Sequence, residues 1–223
     1  AASSDYPLRD VYKRQVLACA GLARLAWRAD PAAVTGFEDT TFIAPDSVLD
    51  NLSPSLAETA MGLQLCGLDI DWWQPWGLNA GLKNWAGGSN AVSVHRQSVE
   101  QANQGSPADW RTVITPMKGQ LYIDALSMWD AQGIGWSLYE QRHQHHIAGR
   151  PWLEILASLG LQAFPVTGNR HDGFVYHLWR QAPLPLAVAA FNGNGAGLYS
   201  SEGYRAPTKK SGKVTYLASA HSL

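Results

Sequence analysis

The stretch Arg150-Pro151-Trp152-Leu153-Glu154-Ile155-Leu156-Ala157-Ser158-Leu159-Gly160-Leu161 carries the clearest fold signal in this chain. Proline at the first helical position, followed by closely spaced apolar residues, predicts a helix that stops at Gly160. A second apolar run, Phe-Val-Tyr-His-Leu-Trp at 174–179, is rich in aromatic and β-branched residues and predicts a strand. An apolar helix followed by such a strand indicates a mixed helix-and-sheet fold.

The flanking sequence extends this pattern in both directions. Further helices are predicted at 16–29 and 90–103, and another opens at Ser53-Pro54, where Leu56, Ala60 and Leu63 share a helical face. Short strands are predicted at 37–44, 67–73, 110–114, 119–125, 204–208 and 213–218, the last two joined by a turn of Lys and Gly residues. No fixed-period repeat and no long linker divides the chain. We therefore expect one α+β domain over 16–223, with helices packed on a mostly antiparallel sheet.

Composition excludes several classes of protein. Hydrophobic residues make up 46% of the 223 residues and charged residues only 16%, which does not fit a disordered chain. The 17 basic and 18 acidic residues give a net charge of −1, which excludes a strongly basic nucleic-acid coat and an acidic tail protein. Since no apolar run approaches the length that spans a bilayer, no transmembrane helix is predicted.

We interpret the first fifteen residues as having a different origin from the rest of the chain. Residues 10–15, Asp-Val-Tyr-Lys-Arg-Gln, resemble the translated end of an adaptor used in sequencing libraries. We therefore interpret 1–15 as a reading-frame scar that replaces a truncated natural N-terminus. Lys13 and Arg14 followed by an apolar run imitate a signal peptide, but Arg24 interrupts that run early, which disfavours secretion.

Two cysteines, Cys19 and Cys66, exclude a disulfide-rich scaffold and a multi-cysteine zinc site. Both have apolar sequence neighbours, which favours buried free thiols, and a single bridge between them is the alternative. Free thiols in turn favour a reducing, cytoplasmic compartment.

Two aspartates and several histidines could support a metal-dependent hydrolase. Asp69 and Asp71 alternate in a predicted strand, so both carboxylates would lie on one side, where such pairs bind metals or transfer protons. The candidate imidazole ligands are His143, His145, His146, His171 and His177. We favour the alternative of one buried capping aspartate, one solvated aspartate and a solvated histidine loop, because no His-Glu-x-x-His pattern occurs.

Ten tryptophans are an unusual number for this length. Trp72, Trp73 and Trp85 could stack on bases or sugars, which makes a tryptophan-lined carbohydrate-binding module a further alternative. We favour packing in the core for most of them.

Motifs of nucleophilic and nucleotide chemistry are missing from the sequence. There is no Gly-x-Ser-x-Gly and no Gly-x-x-x-x-Gly-Lys, and the run Asn192-Gly193-Asn194-Gly195-Ala196-Gly197 fits a flexible turn better than a phosphate cradle. We therefore expect no catalytic residue, no resident metal and no cofactor.

Basic residues concentrate near the C-terminal end. Arg205, Lys209, Lys210 and Lys213 lie within nine positions, with Tyr204 and Tyr216 beside them, and could follow a nucleic-acid backbone. The alternative is a charged hairpin tip that keeps a strand edge soluble. Lys83, two positions before Trp85, and Arg150 complete the set of residues that we expect to contact a backbone.

Several of these segments, in this order, resemble one family, the subunits of type I-U (also called I-G) CRISPR effector complexes. The matching segments are Gln-Val-Leu-Ala-Cys-Ala-Gly-Leu at 15–22, Leu-Asp-Ile-Asp-Trp-Trp at 68–73, Leu-Lys-Asn-Trp-Ala-Gly at 82–87, Gly-Trp-Ser at 135–137, Arg-Pro-Trp-Leu-Glu-Ile-Leu-Ala at 150–157, Gly-Leu-Gln-Ala-Phe at 160–164 and Trp179 with the following Pro-Leu-Pro at 183–185.

The resemblance implies a non-catalytic protein of antiviral defence that works inside a crRNA-guided surveillance complex. Its partners would be other effector subunits and crRNA, target DNA or both, while a separate helicase-nuclease would cut the target. The resemblance also implies a ferredoxin-like core, and the truncation would then have removed the strand that such a core has before the helix at 16–29.

Overall fold

The computed structural model describes residues 6–7, 13–39, 41–50, 52–60, 62–71, 90–114, 149–169, 172–195, 197–211, 214–217 and 220–223, with the backbone alone at 6–7, 13–14, 208–211 and 214–217. Its helices are α1 (Lys13–Ala29), α2 (Ala91–Ala102), α3 (Pro151–Ala163) and α4 (Leu184–Phe191). Antiparallel strands and short 3-10 helices at Asp46–Leu49 and Pro107–Asp109 form the rest of the described regular structure, which confirms the α+β class. The predicted strand at 119–125 lies outside the described residues.

Helix α3 is the centre of the core, and all of its residues from Pro151 to Leu161 are buried. Helix α1 packs along it so closely that a Cβ on Gly160 would lie 2.1 Å from the carbonyl oxygen of Leu17. A Cβ on Gly21 would lie 1.9 Å from the carbonyl oxygen of Leu156. The prediction that α3 stops at Gly160 was therefore wrong, because this glycine serves helix packing and the helix continues to Ala163.

The first sheet contains strands that precede and follow α1 in sequence. Its strands are β1 (Tyr6–Pro7), β2 (Gly36–Glu38) and β3 (Thr41–Ile43), in the order β1-β3-β2. The predicted single strand at 37–44 is a hairpin, because Asp39 turns the chain with a φ of 51°. A strand, a helix and a second strand with a third inserted antiparallel between them form the first half of a ferredoxin-like arrangement. The expectation that truncation had removed the first strand was wrong, because Tyr6–Pro7 pairs with β3 in that position. The described strands do not complete its second half, since no later strand joins the β1 edge.

The next strands correct the helix predicted at Ser53-Pro54. Residues there form a meander of β4 (Leu56–Thr59), β5 (Gly62–Leu65) and β6 (Leu68–Ile70). Leu63, Leu65 and Ile70 are buried and Ala60 is exposed, so the burial has the two-residue period of a strand. Gly62 has a φ of 142°, which a helix does not accommodate.

A four-stranded sheet follows α3, with the order β12-β9-β8-β7. The strands are β7 (Thr167–Asn169), β8 (Gly173–Trp179), β9 (Ser200–Ala206) and β12 (His221–Ser222), and α4 connects β8 to β9. Strands β10 (Thr208–Ser211) and β11 (Val214–Leu217) form a separate two-stranded sheet. The predicted strands at 204–208 and 213–218 were thus shifted, because Pro207 divides the first one between β9 and β10.

Trp179 joins the first sheet to the four-stranded sheet. Its ring centroid lies 5.0 Å from that of Phe37 and 4.9 Å from that of Phe164, and its indole N–H donates to the carbonyl of Thr35 at 3.1 Å. A backbone bridge between Thr35 and Ala182 runs alongside. One hydrophobic core therefore continues from α1 to β8.

The predicted strand at 110–114 was wrong. Ser106 caps a short 3-10 helix, Pro107–Asp109, and Trp110 lies at the end of that helix with its side chain buried. Ile114 alone pairs with another segment, through a bridge to Gly149 just before α3.

Candidate nucleic-acid interface

The candidate interface is the C-terminal segment, in which β9 and β12 belong to the four-stranded sheet and β10 and β11 pair with each other as a separate sheet. In its inner half Arg205 pairs with His221, and in its outer half Thr208 pairs with Leu217 and Ser211 with Val214. Pro207 separates β9 from β10 on the outgoing chain, and proline has no N–H to donate to a ladder. We call residues 203–223 the basic ribbon.

Arg205 lies on an exposed face of the four-stranded sheet. Paired residues form a row across the strands, with Thr167 opposite Val175, Val175 opposite Arg205, and Arg205 opposite His221. Thr167, Arg205 and His221 are exposed in this row. We call the side of the sheet on which they lie the open face. Residues on the other face of β8 and β9, such as Phe174, Tyr176 and Ala206, are buried in the core. The guanidinium of Arg205 is therefore accessible to a large partner.

The charge of the basic ribbon has one sign. It contains Arg205, Lys209, Lys210 and Lys213 and no acidic residue, whereas residues 1–202 contain 13 basic and 18 acidic residues. The acidic residue next in sequence, Glu202, accepts a hydrogen bond from the Tyr204 hydroxyl. Since alternate residues of a strand point to opposite faces, this carboxylate is held away from Arg205. The ribbon is a local positive region on a molecule whose net charge is −1.

The other predicted contact residues have different surroundings. The backbone of β10 places Lys209 opposite Tyr216 and Lys210 opposite Thr215. Arg150 is half-buried at the N-cap of α3, where its carbonyl accepts the Glu154 N–H at 3.1 Å. Its Nε is fully buried, so Arg150 is less accessible than Arg205. Lys83 and Lys213 lie outside the described residues.

His221 also belongs to this surface, although the sequence pattern did not predict it. Only the register of β9 and β12 brings it opposite Arg205, since sixteen positions separate the two residues in sequence. The alternation of a two-residue strand is too short to be recognised.

The two candidate metal-binding aspartates are held by amide side chains. The carboxylate of Asp69 accepts from Gln64 Nε2 at 2.9 Å, and that of Asp71 accepts from Gln162 Nε2 at 2.7 Å. Buried Ile70 separates them, so both lie on the exposed side of the chain as predicted, but neither is the buried capping residue that we expected.

Arg24 connects this pair to the core. It donates to the carbonyl of Asp69 at 2.7 Å and to that of Leu159 at 3.2 Å. Burial lowers the pKa of Arg24 and the Asp69 carboxylate raises it again in part. These contacts join α1, α3 and β6 through main-chain carbonyls, while the carboxylate of Asp71 is tied to α3 by Gln162.

The candidate histidine ligands are divided between the described and the other residues. His143, His145, His146 and His171 lie outside the described residues. His177 is on β8, in a different sheet from Asp69, and its ring lies against Gly193 and Gly203. Among the residues that the structure describes, no three His, Cys, Asp or Glu side chains form a group that could hold a metal ion.

The described tryptophans are mostly in the core. Trp110, Trp152 and Trp179 have exposed fractions of 1%, 3% and 0%, while Trp27 is 39% exposed at the end of α1. Trp72, Trp73 and Trp85 lie outside the described residues. The described tryptophans therefore form no exposed row of the kind that a sugar-binding module needs.

Both cysteines are free thiols, as predicted. Cys19 is fully buried in α1, and burial raises its pKa far above the ordinary value. Burial also raises the pKa of Cys66 to about 11. Neither thiol is activated, because a reactive cysteine needs a lowered pKa.

The described residues 192–195 of the Asn-Gly run form a turn that ends α4, as predicted. The N–H groups of Gly193 and Asn194 donate to the carbonyls of Ala190 and Ala189 at 2.9 Å each. Gly193 and Gly195 have φ values of 76° and 97°, which glycine adopts without strain. Two of its N–H groups thus cap the helix and are not available to a phosphate.

Comparisons with protein-family models, with curated proteins and with solved structures find no match to this chain. Within the described residues, none of the helices has the length and apolar character needed to cross a membrane.

Proposed function

We propose that this chain is a non-catalytic subunit of a type I-U (I-G) CRISPR surveillance complex that acts in antiviral defence in the cytoplasm. Its partners would be the other effector subunits and the phosphate backbone of crRNA, target DNA or both. The segments at 68–73, 82–87 and 150–157 support the family, and the basic ribbon supports the backbone contact.

The one-sided charge of the basic ribbon is the observation that carries the proposal. Affinity for a nucleic-acid backbone grows with the number of phosphates that cationic side chains neutralise. Four cations concentrated in 21 residues supply such contacts, although the molecule as a whole is slightly acidic. A C-terminal ribbon can reach along a backbone while the rest of the subunit binds its protein partners.

Charge reversal of the ribbon lysines is the first test. We expect K209E/K210E/K213E to weaken binding of a labelled oligonucleotide and to lower the slope of log affinity against log salt by about 2, because each lost phosphate contact removes roughly 0.7–0.9 of that slope. The measurement is fluorescence anisotropy of the full chain over roughly 50–200 mM salt.

The matched control reverses three exposed arginines outside the ribbon, Arg28, Arg96 and Arg180, and so changes the net charge equally. It should leave the salt slope close to that of the parent chain, with circular dichroism confirming that both variants fold. An equal slope in the ribbon variant and the parent would reject the assignment.

Membership in a complex needs a separate test. We expect a CRISPR array and a helicase-nuclease gene beside this reading frame, and co-elution of the chain with the neighbouring gene products when all are expressed together with crRNA. A chain that elutes alone under these conditions would contradict membership while leaving backbone binding intact.

A further inference from the structure

We propose that Arg205 and His221 form a phosphate-binding pair on the open face, and that this pair makes nucleic-acid binding stronger as the pH falls. The inference rests on the proposed function and adds a specific site and a regulation to it. His221 and the open face were not among the contacts predicted from the sequence.

The register places the two side chains together. Arg205 and His221 pair directly between β9 and β12, and directly opposed residues of antiparallel strands have Cβ atoms roughly 5 Å apart on one face. Both residues are exposed. A phosphate between them could accept from the guanidinium fork and from an imidazole N–H at the same time.

The surroundings favour an anion over other occupants. The groups nearest to this pair on β9 are Tyr204 and Glu202, which hydrogen-bond to each other on the opposite face. On β8 the residue opposite Arg205 is the uncharged Val175, and His177 lies diagonally, with its ring over Gly203. The acidic side chain of this region is Asp172, three positions before Val175, and its carboxylate accepts from Asn169 Nδ2 on β7 at 2.6 Å. The other described residues around the pair on the open face are neutral, or histidine.

Protonation of the imidazole adds the pH dependence. Histidine side chains ordinarily ionise near neutral pH, and the protonated ring has a second N–H donor and a positive charge. Binding of a proton and binding of a phosphate at adjoining groups strengthen each other by the same factor. One additional charge-assisted contact at an exposed site is worth about a five-fold gain in affinity.

The experiment measures the affinity of the full chain for a labelled single-stranded oligonucleotide at about pH 6 and about pH 8. We expect the parent chain to bind about five-fold more tightly at the lower pH than H221Q, and the two to bind alike at the higher pH. A Gly-Ser extension after Leu223 keeps a terminal carboxylate away from residue 221 in every variant.

A double-mutant cycle separates this site from the other histidines. R205Q and H221Q should lose less affinity together than the sum of their separate losses at the lower pH, because both remove the same phosphate contact. Additive losses, or the same pH dependence in H221Q and the parent, would overturn the pair. Competition by inorganic phosphate as strong as by oligonucleotide would overturn a backbone ligand, and competition by poly-aspartate alone would indicate an acidic peptide.

The outcome also separates the two proposals. If K209E/K210E/K213E loses salt dependence as expected, but H221Q has the same pH-dependent affinity as the parent chain, only the phosphate pair is rejected. A parent chain that binds no oligonucleotide at either pH rejects the proposed function.

Discussion

Replacing Gly160 by alanine should destabilise the fold by at least about 3 kcal/mol, at the upper end of the cost of overpacking a core. The added Cβ would lie 2.1 Å from the carbonyl oxygen of Leu17 and 2.8 Å from the backbone N of Gly21. These are backbone atoms of a buried helix, so no side-chain rotation can relieve the overlap. Helices α1 and α3 must separate, and the packing of the core around both is lost.

Urea unfolding monitored by tryptophan fluorescence measures this effect. G21A should have a similar cost, and the double variant should cost less than the sum, because one separation of the helices relieves both overlaps. Gly105 is the matched control: no atom lies within 4 Å of its Cβ position, so G105A should stay within about 0.5 kcal/mol of the parent. If G160A is as stable as G105A, the close approach of the two helices is wrong.

The same glycine shows where prediction from sequence reaches its limit. The apolar spacing at 150–161 was sufficient to predict α3, and the glycine pair at 87–88 was sufficient to predict a helix at 90–103, within one residue of α2 at each end. A glycine near the end of an apolar helix is, however, equally consistent with termination and with close packing. Only the position of α1 decides between them, and this is a tertiary contact across more than 130 residues.

The helix predicted over 53–65 was wrong for a related reason. Leu56, Ala60 and Leu63 match a helical face, while Leu63 and Leu65 match a strand, and the two periods overlap in short segments. The pairing of β5 with both β4 and β6 decides the conformation, and pairing partners are not visible in the pattern of one strand.

For the candidate site, the basic residues could be predicted from the sequence, but the residues that lie beside them could not. The cluster of Arg205, Lys209 and Lys210 is evident from composition alone. The separation of Glu202 from Arg205 and the pairing of Arg205 with His221 depend on strand register, which a one-residue shift would change completely.

His95 should make the fold sensitive to mild acid. The imidazole is fully buried in α2, and its Nδ1 lies 2.7 Å from the carbonyl oxygen of Ala91. Burial lowers the pKa of His95 from 6.5 to about 4 in the folded state. Between these two values the unfolded chain binds a proton that the folded chain excludes, so the free energy of unfolding falls as the pH falls through this window. The full contribution is about 3 kcal/mol, and above the ordinary pKa the group contributes no pH dependence.

The comparison of the parent chain with H95Q isolates this contribution from that of the carboxylates, which titrate in both proteins. We expect the parent to lose about 2–3 kcal/mol more than H95Q between neutral pH and about pH 4.5, whatever the difference between them at neutral pH. An NMR titration of the His95 ring gives an independent measurement that does not depend on how well H95Q folds. Because a neutral ring inside α2 is the physical cause, a ring that protonates in the folded protein near its ordinary pKa, or equal acid losses in the two chains, would contradict the burial of His95.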